Sequence, residues 1–483
     1  MIRLYFDWLV FSKLKTPEFS DLRHFLIDNL DGFIIPFTPT HFKDSEPSHE
    51  DPRFLPDLET MTQYCDGHFI FFEEDTTYSR WLTAKEAFSM YKPVRNPNDE
   101  PFDFLKAIQS LDDFLADNGQ PRIGQLLHAP LNFRFGYNEA ASPRTLKALY
   151  PMINENTTFL DLAQNFFSIT ENFFHDKSSY LNVRSALQID GASFGTKTAN
   201  MSSQEAYEEI LKTLKADHRH DSYRAFIDTS YKGHAKKPNQ LDWFKHAYQM
   251  LDILGYKPDP LRKPTNTAMN IQNDAEHAFY AQTCDYLVTD DRTFKAKAEV
   301  LYMLLDINTI VIDPMDLTEE MKAVTLPIPK SCADFIEQVV KEYRHGIPIQ
   351  YENDGTEIPA GTMVRATVFP ILNYFTHIIC YRATADQVEL QLRAVYDNKP
   401  RFSYGKEIKV ILRQLISTFG SSHIEDVDAL ITQMIESKEP PALIWPASGS
   451  SIIVEMEKEH FRPTVRIFMF REAELPEAPV EEA

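Results

Sequence analysis

The sequence predicts an α/β chain: separated pieces of one parallel sheet around a large helical insertion, followed by an α+β domain with an antiparallel sheet. Three observations predict this. Strand-like and helical runs alternate at the start, the alternation stops near Trp81 and resumes after residue 264, and beyond Pro327 the texture becomes β-rich.

In chain order, Ile2 to Phe6 is a short apolar run with strand character. "DLRHFLIDNL" has helical spacing, "GFIIPFT" is a buried-strand run, "HFKDSEPSHEDPRFLPDLETMTQYC" is polar and then helical, and "GHFIFF" is a third strand. Amphipathic patterns such as "EAYEEILKTLKADH", broken by Asn- and Pro-containing turns, fill the insertion over 81–264. A helix over Asp274 to Thr283, a strand over Tyr286 to Val288, a helix over Arg292 to Leu305 and a strand over Thr309 to Ile312 then return to the first sheet. The core is thus expected in 1–80 and 265–326, with a connecting helix over 327–345. In the C-terminal domain, 346–473, the runs "GTMVRATVF", "THIICYRA" and "QVELQLRAVY" read as strands, and Gly405 to Phe419 and Glu425 to Ser437 as helices. "ALIWP", "SIIVEMEKE" and "TVRIFMFRE" complete the sheet before an acidic tail at 474–483.

At 483 residues and 43% hydrophobic content, the chain is long enough for two or three packed domains. No apolar run approaches the roughly 18 to 20 residues of a bilayer span, and Asp7 interrupts what would be a signal peptide's apolar region. A cytoplasmic protein without membrane contact is expected. Cys65, Cys284, Cys332 and Cys380 form no CxxC pair and read as reduced thiols. A formal net charge of -22 argues against a general polyanion-binding surface, so any phosphate attraction must be local. The densest basic stretch carries Arg219, Arg224, Lys232, Lys236, Lys237 and Lys245 among Tyr223, Tyr231, Trp243 and Phe244.

Carboxylates stand on both sides of the late strand in "NDAEHAFYAQTCDYLVTDDRTF". Side chains that follow the carboxyl ends of parallel strands converge on one crevice, which places Asp7, Asp290 and Asp291 together. Asp44 and Asp274 are each expected at the start of a helix. Hard cations take oxygen ligands, and without one such crowded acids repel until one takes up a proton.

"YFD", "HFKD" and the late segment resemble the acidic motifs of the PIN-domain ribonucleases, whose late motif runs D-x-x-x-A-x-x-A, a short apolar strand, then T-x-D-x-x-F. The resemblance covers roughly 1–80 and 265–315. It implies a PIN-like fold and metal-binding, catalytic carboxylates at Asp7, Asp44, Asp274 and Asp291, with Thr289 contacting substrate. The family's second acid is usually Glu, so Glu46 competes with Asp44, and Asp290 competes with Asp291. The long insertion also departs from compact members.

The implied chemistry is Mg²⁺- or Mn²⁺-dependent hydrolysis of single-stranded RNA, in the manner of a toxin or defence effector. Arg219, Lys232, Lys236 and Lys237 would supply phosphate contacts, and the C-terminal domain would bind a regulatory protein. The alternative is a catalytically inactive scaffold or sensor. His423, Glu425 and Asp426 lie at an expected helix start, where capping explains them. With 15 glycines and no GxxxxGK[ST], a P-loop enzyme is disfavoured.

Overall fold

The computed structural model describes residues 2–45, 54–91, 134, 144–149, 153–159, 161–162, 176–189, 201–216, 221–232, 237–261, 267–324, 328–349, 362–384, 387–394, 405–420, 424, 426–447, 450–457 and 462–470. The expected acidic tail and the candidates Glu46, Arg219, Lys236, His423 and Glu425 lie outside these residues.

β1 (Ile2–Phe6) leads into α1 (Trp8–Lys13) and α2 (Ser20–Asp28), and β2 (Phe33–Ile34) into α3 (Pro39–Ser45) and α4 (Phe54–Cys65). β2 is short because Pro36 has no N–H to give a ladder. The chain regains the sheet at Phe37, which exchanges backbone bonds with β3 (His68–Glu73). β4 (Thr76–Trp81) pairs antiparallel with β3, so Trp81 closes a hairpin instead of opening a helix. Exposure of most of β4 hides it from an apolar-pattern reading.

Helices α5 (Ala84–Tyr91), α6 (Arg144–Leu149), α7 (Lys177–Ile189), α8 (Ser203–Ala216), α9 (Tyr223–Thr229) and α10 (Gln240–Ile253) follow. Then come α11 (Ala268–Ala281), β5 (Tyr286–Val288), α12 (Arg292–Leu305), β6 (Ile310–Ile312) and α13 (Pro314–Val324). The sheet is parallel in the order β2-β1-β5-β6, and the Phe37 bridge hooks β3 on beyond β2. Its inner strands are buried throughout because both faces are covered, and their residues are apolar or aromatic except Arg3. Leu4, Phe6, Tyr286 and Val288 face a core with α1, α2, α4 and α13, whereas Tyr5 and Leu287 face α8 to α12.

On that second face a buried ionic cluster ties α7, α10 and α12 together. Asp252 and Lys297 have fully buried side chains and meet at 2.7 Å. Asp252 also accepts from Tyr180 at 2.7 Å, Arg184 at 3.0 Å and the Asp259 amide at 2.6 Å. Burial alone would raise this carboxyl, but the Lys297 charge and these donors hold it below the usual range.

After α14 (Cys332–His345), the strands β7 (Ile347–Ile349), β8 (Met363–Ile371), β9 (Phe375–Thr384) and β10 (Gln387–Arg393) precede α15 (Gly405–Phe419) and α16 (Val427–Glu436). β11 (Leu443–Ala447), β12 (Ser450–Met456) and β13 (Pro463–Phe470) complete an antiparallel sheet in the order β11-β12-β13-β10-β9-β8-β7. Phe335, Leu415 and Ile431 of the three helices share a core with Leu390, Val465 and Ile467 of the sheet. The described residues are therefore mixed α/β, with a four-stranded parallel sheet, the β3–β4 hairpin and a separate seven-stranded antiparallel sheet. Among the described residues no helix is long and apolar enough to cross a membrane.

Replacing Asp252 by Ala strands the buried Lys297 ammonium. We expect a loss of about 3–5 kcal/mol, the usual result of removing one partner of a buried pair, read as a lower urea midpoint.

Candidate functional site

Going out from β1, the sheet runs to β2 and β3 on one side and to β5 and β6 on the other. The strand order thus reverses between β1 and β5, and ligands of open α/β sheets bind beyond the carboxyl ends at such a point. Asp7 leaves β1 there and Thr289 leaves β5.

Asp7 is 5% exposed, caps α1 by accepting from the Val10 amide at 2.8 Å, and accepts a short hydrogen bond from the Thr289 hydroxyl. Burial pushes its carboxyl up to about 6 despite those two donors. Asp291 is exposed and caps α12, accepting from the Thr293 and Phe294 amides at 2.8 and 2.9 Å. Asp290 pairs with Lys13 instead. Of these neighbours, Asp291 is the acid that acts on Asp274.

Asp274 does not open its helix. α11 starts six residues earlier, at Ala268, where Thr267 and Asn270 form a capping box, so Asp274 projects from the helix interior. It keeps some accessible surface, yet its surroundings are dense enough that desolvation raises its carboxyl well above the usual range. The Asp291 charge raises it further, Lys297 opposes this, and Asp44 adds a smaller push. Asp44 is also misplaced by the sequence reading, because α3 begins at Pro39 and Asp44 falls in its last turn. There it accepts from Asn273 Nδ2 at 2.7 Å and from His277 Nε2 at 2.8 Å.

His277 belongs to a buried polar chain. Its Nδ1 lies 2.8 Å from the Tyr5 hydroxyl, which lies 3.0 Å from Thr38 Oγ1. The Thr38 amide donates to His41 Nδ1 at 3.0 Å, so the ring proton of His41 sits on Nε2 and is given to the Phe6 carbonyl at 2.8 Å. Burial, and then the neighbouring His277, push His41 well below the usual imidazole range and keep it neutral. Beside this chain the buried Glu276 joins Lys43 at 2.5 Å, Lys245 at 2.9 Å and the Thr40 hydroxyl at 3.1 Å.

The structure therefore gathers Asp7, Asp44, Asp274 and Asp291 into one electrostatic neighbourhood, without closing them on a single point. Among the described residues no three His, Cys, Asp or Glu side chains are arranged to hold a metal ion. Lys232 and Lys237 are exposed and flank the connection between α9 and α10. His277, Glu276 and Asn273, none of which the sequence singles out, bind Asp44 and its helix to α11. Their one signal is density, four polar side chains within five positions of α11. Comparison with family models, curated proteins and solved structures gives no match.

The Asp7 shift fixes a pH dependence. Its folded value, about 6, lies above the ordinary 3.8, so the fold favours the protonated acid. That contribution is complete below about pH 4 and disappears as pH rises through 6. Asp7→Asn, which retains a capping oxygen, should accordingly melt higher than wild type at pH 8 in chelator, by up to about 3 kcal/mol in stability. The difference should shrink towards pH 4, a trend that paired calorimetric scans would check.

Proposed function

We propose that the chain is a PIN-like endoribonuclease that requires Mg²⁺ or Mn²⁺ and cuts single-stranded RNA, with Asp7, Asp44, Asp274 and Asp291 as its acids. One observation supports this above the others. Asp7 and Asp291 follow the two strands that flank the switch point, and Asp274, disfavoured as an anion by burial as Asp7 is, feels the Asp291 charge. Carboxylates so placed ionise together only against a positive partner.

The donors fit a hard divalent cation in kind, since each offers oxygen and their charges repel one another. Bound there, such a cation would lower the pKa of a water and neutralise charge on the phosphoryl oxygens. The chain's own residues do the holding. Thr289 and the Val10 amide fix Asp7, the first turn of α12 fixes Asp291, and Asn273 and His277 fix Asp44. Phosphate contacts from Arg219, Lys232, Lys236 and Lys237, a cytoplasmic setting and a regulatory protein on the C-terminal domain belong to the same proposal.

A second reading, an inactive PIN-like scaffold or sensor, is favoured by a specific observation. Three of the four acids already spend oxygens on protein donors, and no three converge among the described residues.

Asp274→Asn separates the two. For a nuclease it should cut RNA cleavage in Mn²⁺ by more than the roughly 10–100-fold typical of losing an outer-shell partner. Labelled single-stranded RNA incubated with Mg²⁺, Mn²⁺ or chelator provides the measurement. No cleavage by wild type under any of these conditions would select the scaffold.

A further inference from the structure

Glu276 on α11 holds two ammoniums at once. Its side chain is 6% exposed, and its two oxygens meet Lys43 of α3 at 2.5 Å and Lys245 of α10 at 2.9 Å, one each, while the Thr40 hydroxyl adds a bond at 3.1 Å. Burial alone would raise this carboxyl, but the Lys43 charge and then the Lys245 charge hold it below the usual range, so it stays ionised. The cluster therefore carries two positive charges against one negative.

One lysine would neutralise the buried acid, and a second ammonium beside the first adds repulsion. What the pair supplies is unspent donors. Each ammonium has three N–H groups and gives one to Glu276, and neither has another hydrogen-bond partner among the described residues. With side chains 34% and 21% exposed, both reach solvent from a buried anchor. The Asp252 cluster differs, because its Lys297 is fully buried and its Arg184 also donates to the Asp259 carbonyl at 2.9 Å. One turn along α10 from Lys245, the buried Gln249 keeps its Nε2 without a partner among the described residues, so this side of the helix has donors in excess. Lys43 is the neighbour of Asp44 on α3, and Glu276 stands between Asn273 and His277, which bond Asp44, so the cluster adjoins that acid.

We propose that Lys43 and Lys245, anchored by Glu276, form a clamp for one phosphate of a single-stranded RNA. A phosphoryl oxyanion has acceptors for the free N–H donors and a charge that the surplus positive charge offsets. In a chain of net charge -22, such a local surplus is where a phosphate strand can be held. In naming RNA as the carrier this rests on the nuclease reading, but the clamp itself needs no metal ion.

The test measures binding of a labelled single-stranded RNA oligonucleotide to the full chain in chelator, at several salt concentrations. Lys43→Gln and Lys245→Gln each leave Glu276 one ammonium, so both variants should fold, and each should weaken the RNA several-fold. The triple variant Lys43→Gln, Lys245→Gln, Glu276→Gln replaces the cluster by neutral amides, and its log-log salt slope should be shallower by about 0.7, the share of one phosphate on a single strand. Lys212→Gln, the same charge change at a 75% exposed lysine of α8, should alter neither affinity nor slope. Affinity and slope unchanged in the single and triple variants would overturn the clamp, and RNA cleavage by wild type in Mn²⁺ beside that result would leave the nuclease reading standing. Inorganic phosphate that protects wild type but not the triple variant from melting, with RNA binding unaffected, would assign the site to a free phosphate ester and overturn the strand. Wild type that neither binds nor cuts RNA would remove both readings.

Discussion

The placement of the acidic pocket depends on buried polar bonds made by one helix, α11. Apolar burial alone would let α11 slide or rotate on the sheet, because hydrophobic attraction has little direction. Hydrogen bonds do have direction, and those from Asn273, Glu276 and His277 reach α3, β1 and α10 at once. Breaking any of them leaves a buried polar group unmet, which costs more than the bond contributes. Asp274 lies one turn before His277, so the register that satisfies His277 also fixes where Asp274 stands.

Two buried aspartates in the same half of the molecule meet opposite fates. Asp252 is surrounded by an ammonium, a guanidinium, a phenol and an amide, and these outweigh its desolvation. Asp274 feels Lys297 too, but that ammonium is spent on Asp252 at 2.7 Å, and the other charges near Asp274 are acids. The fold thus neutralises one site internally and leaves the other short of positive charge. A structural ion pair stays charged at neutral pH, whereas a crowded set of acids without a positive partner favours the protonated form.

Much of the architecture was legible in the sequence, for reasons visible residue by residue. α12 and α15 coincide with their expected ranges, because an apolar helical period in each case meets clear ends. The strands of the antiparallel sheet are long and β-branched, and most of them stand where their patterns put them. β4 escaped because its residues are largely exposed and polar, and α11 began early because the capping box at Thr267 precedes a weak apolar period. Asp44 was assigned to a helix start although the Pro39 signal was available. At the site, Asp7 and Asp291 could be read from strand ends. His277 and Glu276 could not, since what sets them apart is a partner on an element far away in sequence.

The helices between β4 and α11 are for this reason more than an overhang. α10 sends Phe244, Tyr248 and Leu251 into the core that α11 and α12 build on the sheet, and its Lys245 and Asp252 pair with Glu276 and Lys297. The same helix therefore sets the desolvation that raises Asp274 and takes up the ammonium that would otherwise relieve it. A compact α/β sheet lacking α10 would leave Asp274 wetter and Lys297 without Asp252, and the carboxyl of Asp274 would stand closer to its usual range. On these grounds the electrostatics of the pocket belong to the long middle segment as much as to the strands whose ends carry the acids.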